Sequence, residues 1–256
     1  MVDRLDLDAY VSMISDLNSA GYVFSKFSDE ITVNDPPCVL LRHDVDFSLS
    51  KALELARIEA NLGLQSTYFI QVGAPSYNAL SIRSANIVSE IISCGHTISL
   101  HFDFLRYSAN ISRGLVLELE TLRIHYSCAD TSVVSLHRPG LYSGTLSDLL
   151  LTGGMSHTYE DRFVRDFTYF SDSGGCWREG NPVTSLAFEA RRSMQILVHP
   201  LWWLTQGESP TEKISRHIQE SAIETAEQME ETTVSFSLES VRDQLSSNLK
   251  PRCQWC

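Results

Sequence analysis

The sequence predicts an α/β fold in which parallel strands form a sheet or barrel with helices outside. Short segments rich in β-branched and aromatic residues alternate with amphipathic segments of helical length along most of the chain. Several of the helical segments end at a glycine, as at Gly21, Gly63 and Gly95. Polar side chains suited to metal binding or proton transfer follow several of the predicted strands. Repeated strand–helix units of this kind favour parallel strands joined by crossover helices.

The elements follow from local signals taken in order along the chain. The first strand follows the turn at Asn34–Pro37, and Ser48 or Ser50 can cap the helix after it. The predicted helices cover residues 6–20, 48–61, 80–93, 112–126 and 211–230. The predicted strands cover residues 37–44, 65–72, 96–101, 132–137, 156–159, 167–170 and 194–199. We expect seven strands in one domain, residues 1–256, with an N-terminal helix at 6–20 and a C-terminal helical segment at 211–250, because no repeat or linker interrupts the pattern.

Composition excludes some classes of function. The chain carries 20 basic and 32 acidic residues, a net charge of −12, which disfavours nucleic acid and anionic membranes as partners. No apolar run approaches the roughly 18 residues that a membrane span needs. The N-terminal residues lack the basic and apolar regions of a signal peptide, so we expect a cytoplasmic protein.

Two carboxylates, Asp44 and Asp46, end the first strand after the apolar run Val39–Leu41. Residues i and i+2 of a strand project from the same face, so these like charges lie close together. Such a pair is costly unless a cation or a shared proton compensates it. The pair therefore predicts a metal site, a catalytic pair or both, and the alternative is a turn-capping role at the strand end.

Other strand ends carry side chains of the same kind, and in a parallel barrel these ends meet at one rim. His101 is a candidate metal ligand, and Asp103 is either a second ligand or an acceptor that orients His101. Arg138 supplies a cation that could orient one of the aspartates, and His199 is a candidate general acid. The adjacent pair Trp202 and Trp203 belongs either to the core or to an apolar wall for a sugar ring.

These segments together resemble the polysaccharide deacetylase superfamily, the NodB-homology or carbohydrate esterase family four type. The likeness spans residues 39–201 and consists of five segments in family order. They are residues 42–46 (RHDVD), 95–101 (GHTISLH), 137–140 (HRPG), 172–177 (DSGGCW) and 196–199 (ILVH). The resemblance implies a distorted parallel (β/α) barrel that removes N- or O-acetyl groups from sugars. It also implies a divalent metal, zinc first, with Co²⁺, Mn²⁺ or Ni²⁺ as alternatives.

The resemblance also implies a role for each matching residue. Asp44 corresponds to the catalytic base, Asp46 to the metal-binding aspartate and His101 to the first metal histidine. Arg138 corresponds to the arginine that orients the base, and His199 to the catalytic acid. The residues that correspond to the fourth motif are Asp172 and Trp177; we group Trp177 with Trp202 and Trp203 as candidate sugar contacts.

The chain departs from the family pattern at Leu105, where the family has its second metal histidine. A third ligand must then come from elsewhere, and Asp103 and His137 are the nearest candidates. The departure keeps open an inactive, glycan-binding relative. A second alternative reads Asp44-Val45-Asp46 as the DxD motif of a glycosyltransferase that binds a nucleotide sugar through Mn²⁺ or Mg²⁺. For the deacetylase, compartment and family favour an acetylated sugar nucleotide or glycan precursor of a bacterial surface polysaccharide as the substrate.

Overall fold

Parallel strands and helices alternate along the chain, as predicted. A computed structural model describes residues 4–29, 36–107, 109–142 and 155–239. The strands are β1 (Val23–Phe24), β2 (Cys38–Val45), β3 (Thr67–Ile70), β4 (Thr97–Phe102), β5 (Val133–Leu136), β6 (Ser156–His157), β7 (Thr168–Ser171) and β8 (Met194–Val198). The longer helices are α1 (Leu7–Ser19), α2 (Leu49–Asn61), α3 (Ile82–Ser93), α4 (Ile111–His125) and the helix Pro210–Thr232. Short helices cover Asp161–Val164, Leu186–Glu189 and Pro200–Leu204, and 3₁₀ turns cover Phe104–Tyr107, Pro139–Leu141 and Pro182–Thr184.

The strands form one parallel sheet in the order β6-β5-β4-β3-β2-β8-β7. Because β6 and β7 stand at the two ends of this order, the sheet is an open, curled half-barrel and the predicted fold class is confirmed. The seven strands match the seven predicted segments. The short strand β1, which pairs with the start of β2 at Cys38, was not predicted. Two residues offer too little periodicity to reveal a strand.

Strand β2 is buried along its whole length and separates two apolar layers. Its alternate residues point to opposite sides, so Leu40 faces the inside of the half-barrel and Val45 faces the helices. The inner cluster comprises Phe27, Cys38, Leu40, Phe69, Val133, Phe163 and Phe167. The outer cluster joins the helical side of β2 to α2, α3 and α4 through residues such as Leu53, Val88 and Leu119. The inner apolar layer closes the lower part of the half-barrel, beneath the carboxyl ends of the strands.

Capping side chains fix where the helices begin. Asp6 accepts from Ala9 N–H at 2.9 Å at the start of α1. Of the two predicted caps for α2, the structure uses Ser48, which accepts from Lys51 N–H at 3.2 Å. Each such bond satisfies a backbone donor that the first helical turn leaves unpaired. Only three residues separate the end of β2 from the start of α2, a tight connection that places the first turn of the helix beside the strand end.

A buried carboxylate, Glu59 of α2, contacts the helical side of the sheet. Its Oε1 lies 2.7 Å from His43 Nε2 and accepts from the Tyr10 hydroxyl. Its Oε2 accepts from Ser66 Oγ at 2.7 Å and from the Tyr68 hydroxyl at 2.9 Å. Burial opposes ionisation of Glu59, but the charge and hydrogen bond of His43, the charge of His96 and the Tyr10 hydroxyl outweigh it and lower the pKa of Glu59 to about 2. The network anchors His43, which directly precedes Asp44.

The chain forms two compact units, Met1–Leu204 and Thr205–Cys256. The first unit contains all the described strands, and the second contains the helix Pro210–Thr232, which begins after the capping residue Ser209. This helix agrees with the one predicted at residues 211–230, whereas residues 240–250 of the predicted C-terminal segment lie outside the described residues. The single-domain organisation stays a prediction. Within the described ranges, no helix combines the length and the apolar character needed to cross a bilayer.

Candidate metal centre and acid–base site

The predicted polar residues meet at the carboxyl ends of the strands, on the inner side of the half-barrel. Asp44 belongs to β2 and His101 to β4, while Asp46, His137 and His199 directly follow the ends of β2, β5 and β8. Parallel strands end at one rim, so residues far apart in sequence come within a few ångströms of each other. The structure therefore brings these predicted residues together at one rim. The distances between their side chains distinguish the role that each could have.

Asp46, His101 and His137 form a compact cluster of potential metal ligands. Asp46 Oδ1 lies 3.1 Å from His101 Nε2 and 3.3 Å from His137 Nδ1. The two imidazole nitrogens lie 3.2 Å apart. Burial opposes ionisation of Asp46, but hydrogen bonds from His101 and His137 and the charges of His101 and His199 hold its pKa well below the usual range. Three lone-pair donors at these separations require a proton or a cation between them.

The donor set fits a zinc ion or a similar divalent metal. Each of the three residues contributes one ligand atom, and all three atoms lie within 4.8 Å of one another. Ligands of a tetrahedral zinc with bonds of about 2.0–2.1 Å lie roughly 3.4 Å apart, close to the separations found here. Catalytic zinc sites commonly combine three protein ligands with one open position. The cluster can therefore hold such an ion with a coordination position left for substrate or water.

The geometry favours His137 over Asp103 as the third ligand. Asp103 Oδ1 accepts from Leu105 N–H at 3.1 Å, and its Oδ2 lies 3.5 Å from Arg138 Nη2. Leu105 itself is 42% exposed in the turn Phe104–Tyr107, and its side chain has no donor atom for a metal. His137 is thus placed to replace the histidine that the family pattern has at the position of Leu105.

Asp44 lies beside this cluster but binds a cation of the protein itself. Its Oδ2 accepts from Arg42 Nη2 at 2.8 Å and its Oδ1 from Arg42 Nε at 3.2 Å. Ser135 Oγ lies 3.0 Å from both carboxylate oxygens. Burial opposes ionisation of Asp44, but Arg42 and His101 lower its pKa below the usual value. Asp44 is therefore an ionised, oriented carboxylate whose Oδ2 is 3.8 Å from His101 Nδ1.

Arg42 is fully buried, and its guanidinium has an acceptor in every direction. Besides Asp44, it donates to Ser135 Oγ at 3.0 Å, the Tyr159 hydroxyl at 2.9 Å, Gln195 Oε1 at 3.0 Å and Thr158 Oγ1. The guanidinium group is planar and carries five N–H donors, so hydrogen bonds in all these directions hold it in one orientation. Arg42 thus makes the contact with Asp44 that the resemblance assigns to Arg138, which is 53% exposed in its side chain and contacts Asp103.

His199 lies on another side of the cluster, with its Nε2 3.6 Å from Asp46 Oδ2. Its Nδ1 is 2.6 Å from Asp172 Oδ1, and its backbone N–H also donates to Asp172, at 2.9 Å from Oδ2. Burial opposes protonation, but the charge and hydrogen bond of Asp172 outweigh it and raise the pKa of His199 to about 9. Trp203 Nε1 donates to Asp172 Oδ2 at 2.7 Å. His199 is thus a protonated imidazole fixed by a buried carboxylate.

The three tryptophans named from the sequence differ in their surroundings. Trp202 and Trp203 are 4% and 3% exposed, and Trp202 packs edge-on against Phe47 with ring centroids 5.8 Å apart. Trp177 is partly exposed, with its ring centroid 5.6 Å from that of Trp203. The burial of Trp202 and Trp203 fits the first of the two alternatives given from the sequence, that they belong to the core. A sugar contact stays a prediction, and exposure favours Trp177 for it.

Three residues of the site were not singled out from the sequence: Arg42, Ser135 and Gln71. Gln71 Nε2 donates to Asp46 Oδ1 at 2.9 Å, directly after β3. Arg42 and Ser135 each stand two positions before a predicted site residue, so the i, i+2 periodicity of strands contained the signal. Gln71 could have been found as the polar residue that follows the next strand.

Comparison of sequences finds no matching family model and no matching curated protein. Solved structures that resemble the chain include a chitin deacetylase from the fungal pathogen Colletotrichum lindemuthianum. It is 15% identical with a TM-score of 0.43, and the alignment covers 75% of this chain and 85% of that one.

Two bacterial structures are similar to the chain at the same level. A peptidoglycan deacetylase from Bacillus subtilis is 12% identical with a TM-score of 0.42, covering 84% of this chain and 99% of that one. A family 4 carbohydrate esterase from Bacillus anthracis is 12% identical with a TM-score of 0.41, covering 88% of this chain and 90% of that one. All three of these structures are named as deacetylases or as a carbohydrate esterase.

Proposed function

We propose that the chain is a metal-dependent carbohydrate deacetylase that hydrolyses an acetyl group, in the first place an N-acetyl group, on a sugar. The observation that carries the proposal is the Asp46, His101 and His137 cluster with an ionised carboxylate, Asp44, on one side and a protonated imidazole, His199, on another. Amide hydrolysis requires a base for the attacking water and an acid for the leaving amine. Both groups are present at the same rim.

Asp46, His101 and His137 would hold the metal, zinc first, with Co²⁺, Mn²⁺ or Ni²⁺ as alternatives. A divalent ion held there would supply Lewis-acid chemistry, polarising a carbonyl and lowering the pKa of water. Gln71 donates to Asp46 Oδ1 and keeps that carboxylate turned toward the histidines. The metal-binding groups are thus oriented before any ligand arrives.

Asp44 would take the proton from the attacking water. The two Arg42 N–H groups and the Ser135 hydroxyl occupy three of the roughly four lone-pair directions of the carboxylate and leave one for the water. The ion pair with Arg42 keeps Asp44 ionised, as a base must be. His199 would then give its Nε2 proton to the departing amine, while Asp172 stabilises the imidazolium and fixes its ring. The products are acetate and a free amino sugar.

The same geometry disfavours the glycosyltransferase alternative. A DxD motif needs its carboxylates for the metal and the diphosphate, whereas both oxygens of Asp44 are bound to Arg42. Imidazole nitrogens also suit zinc-type ions better than Mg²⁺.

As substrate we propose an acetylated sugar nucleotide or glycan precursor of bacterial surface polysaccharide synthesis. The cytoplasmic location expected from the sequence stays a prediction.

The test is acetate release by the purified, zinc-supplemented chain from acetylated sugars, sugar nucleotides and chitin oligosaccharides. We expect release from at least one of these, and loss of release when the zinc is removed by a chelator. Zinc binding with no acetate from any substrate would contradict the proposal and favour a glycan-binding protein.

A further inference from the structure

A single buried hydroxyl, Ser135 Oγ, connects the base to a metal ligand. It lies 3.0 Å from His101 Nδ1 and 3.0 Å from both oxygens of Asp44. It also accepts from Arg42 Nη2 at 3.0 Å. Ser135 is fully buried on β5, so these protein groups are its hydrogen-bonding environment. Ser135 therefore contacts both the proposed base, Asp44, and the proposed metal ligand His101.

Counting protons fixes the direction of each hydrogen bond at Ser135. An arginine only donates, and Asp44, whose two oxygens accept from Arg42, also accepts from Ser135, so the single hydroxyl proton goes to Asp44. His101 Nδ1 must then carry a hydrogen and donate it to Ser135 Oγ. The other nitrogen of His101, Nε2, faces Asp46 and His137 at 3.1 and 3.2 Å, and it would present its lone pair to a metal bound there. This is the tautomer that a metal ligand requires.

We propose that Ser135 is a positioning residue that sets the tautomer of His101 and the orientation of Asp44 through one hydroxyl. The inference rests on the proposed metal-dependent function and goes beyond it, because it couples metal affinity to the geometry of the base. Partners that orient a metal-binding histidine are typically worth about 10- to 100-fold in metal affinity. Without the hydroxyl, His101 loses the acceptor for Nδ1–H, and the Asp44 carboxylate loses one of its three donors.

The test compares Ser135→Ala with Ser135→Thr, which keeps a hydroxyl. The control is Ser99→Ala, because Ser99 is equally buried on neighbouring β4 but donates to the Val133 carbonyl oxygen. Zinc affinity is measured by competition with a chelator, and thermal unfolding confirms that each variant is folded. We expect about 10- to 100-fold weaker zinc binding in Ser135→Ala, and binding near that of the wild type in Ser135→Thr and Ser99→Ala.

A second measurement addresses the His101–Ser135 hydrogen bond directly and does not depend on catalysis. Long-range ¹H–¹⁵N correlation spectra of the zinc-loaded wild type should show a His101 Nδ1 proton shifted downfield by its hydrogen bond to Ser135 Oγ. In Ser135→Ala, we expect this Nδ1 proton signal to move upfield and to exchange faster with water. This readout separates positioning from a merely structural role, which would leave the Nδ1 proton signal unchanged.

The outcomes distinguish this inference from the proposed function. Unchanged zinc affinity and an unchanged His101 Nδ1 proton signal in Ser135→Ala would overturn the role of Ser135 and leave the deacetylase proposal standing. Equal losses in Ser135→Ala and Ser99→Ala would also overturn it, since any buried hydroxyl would then have the same effect. No zinc binding by the wild type would overturn the proposed function and this inference together.

Discussion

The Arg42 guanidinium holds the Asp44 carboxylate through two hydrogen bonds of 2.8 and 3.2 Å, from two positions earlier on the same strand. Both side chains are almost completely buried. A buried carboxylate without this partner would be driven toward its protonated form. The pair therefore explains how Asp44 can stay ionised within the half-barrel, where the proposed reaction needs a base.

Replacing Arg42 with lysine tests the orientation of the base. A lysine keeps the positive charge but cannot donate two parallel hydrogen bonds to one carboxylate. We expect Arg42→Lys to lower kcat by about 100-fold, as small misplacements of catalytic groups do, while KM and zinc content stay close to those of the wild type. Arg138→Lys is the matched comparison. A larger loss of kcat in Arg138→Lys than in Arg42→Lys would return the orienting role to Arg138.

Asp44→Asn tests the base itself. The amide keeps the size of the side chain but cannot accept a proton, so we expect kcat to fall by about 10²- to 10⁴-fold. Zinc content should remain near one per chain, because Asp44 is not among the three proposed ligands. Asp46→Ala should lose both zinc and acetate release. Unchanged turnover in Asp44→Asn would remove Asp44 from the mechanism.

His137→Ala tests the third metal ligand. Its Nδ1 is 3.3 Å from Asp46 Oδ1 and 3.2 Å from His101 Nε2, so its loss leaves two protein ligands. We expect purified His137→Ala to lose most of its zinc by elemental analysis. Asp103→Ala should keep its zinc, because Asp103 instead contacts Arg138 and Leu105. The reverse pattern would show that Asp103 is the ligand.

Glu59 should make the chain sensitive to acid. Its pKa is about 2 in the folded protein, against a usual value of 4.5, so the unfolded chain takes up the proton first. The stabilisation is complete above pH about 4.5 and is lost as the pH falls from there through about 2. Its size is roughly 3 kcal/mol, because one pKa unit corresponds to about 1.4 kcal/mol.

The measurement is urea unfolding of the wild type and Glu59→Gln between pH 5.5 and pH 2.5. We expect the free energy of unfolding to fall less steeply with acidification in Glu59→Gln, because glutamine has no proton to gain. Glu90→Gln is the control, since Glu90 pairs with Arg57 at the surface. Parallel pH profiles for the wild type and Glu59→Gln would contradict the predicted role of Glu59.

The sequence by itself determined the alternation of strands and helices and the rim at which the polar residues meet. Both follow from local rules: a strand repeats every two residues, and parallel strands end on one side of a sheet. The same rules predicted Asp46, His101 and His199 at the rim. Even Arg42 and Ser135 could have been found in this way, because each lies two positions before a predicted residue on the same strand face.

Only the tertiary structure decided between neighbouring candidates at that rim. His137 and Asp103 both follow strand ends, yet His137 approaches Asp46 and Asp103 turns toward Arg138. Arg42 and Arg138 are both cations that strand geometry can bring to the rim near Asp44, but only the buried Arg42 donates two hydrogen bonds to the carboxylate. These choices depend on which side-chain atoms come within hydrogen-bond distance in the folded protein. Sequence periodicity fixes the face on which a side chain lies, whereas packing between strands fixes which atoms meet.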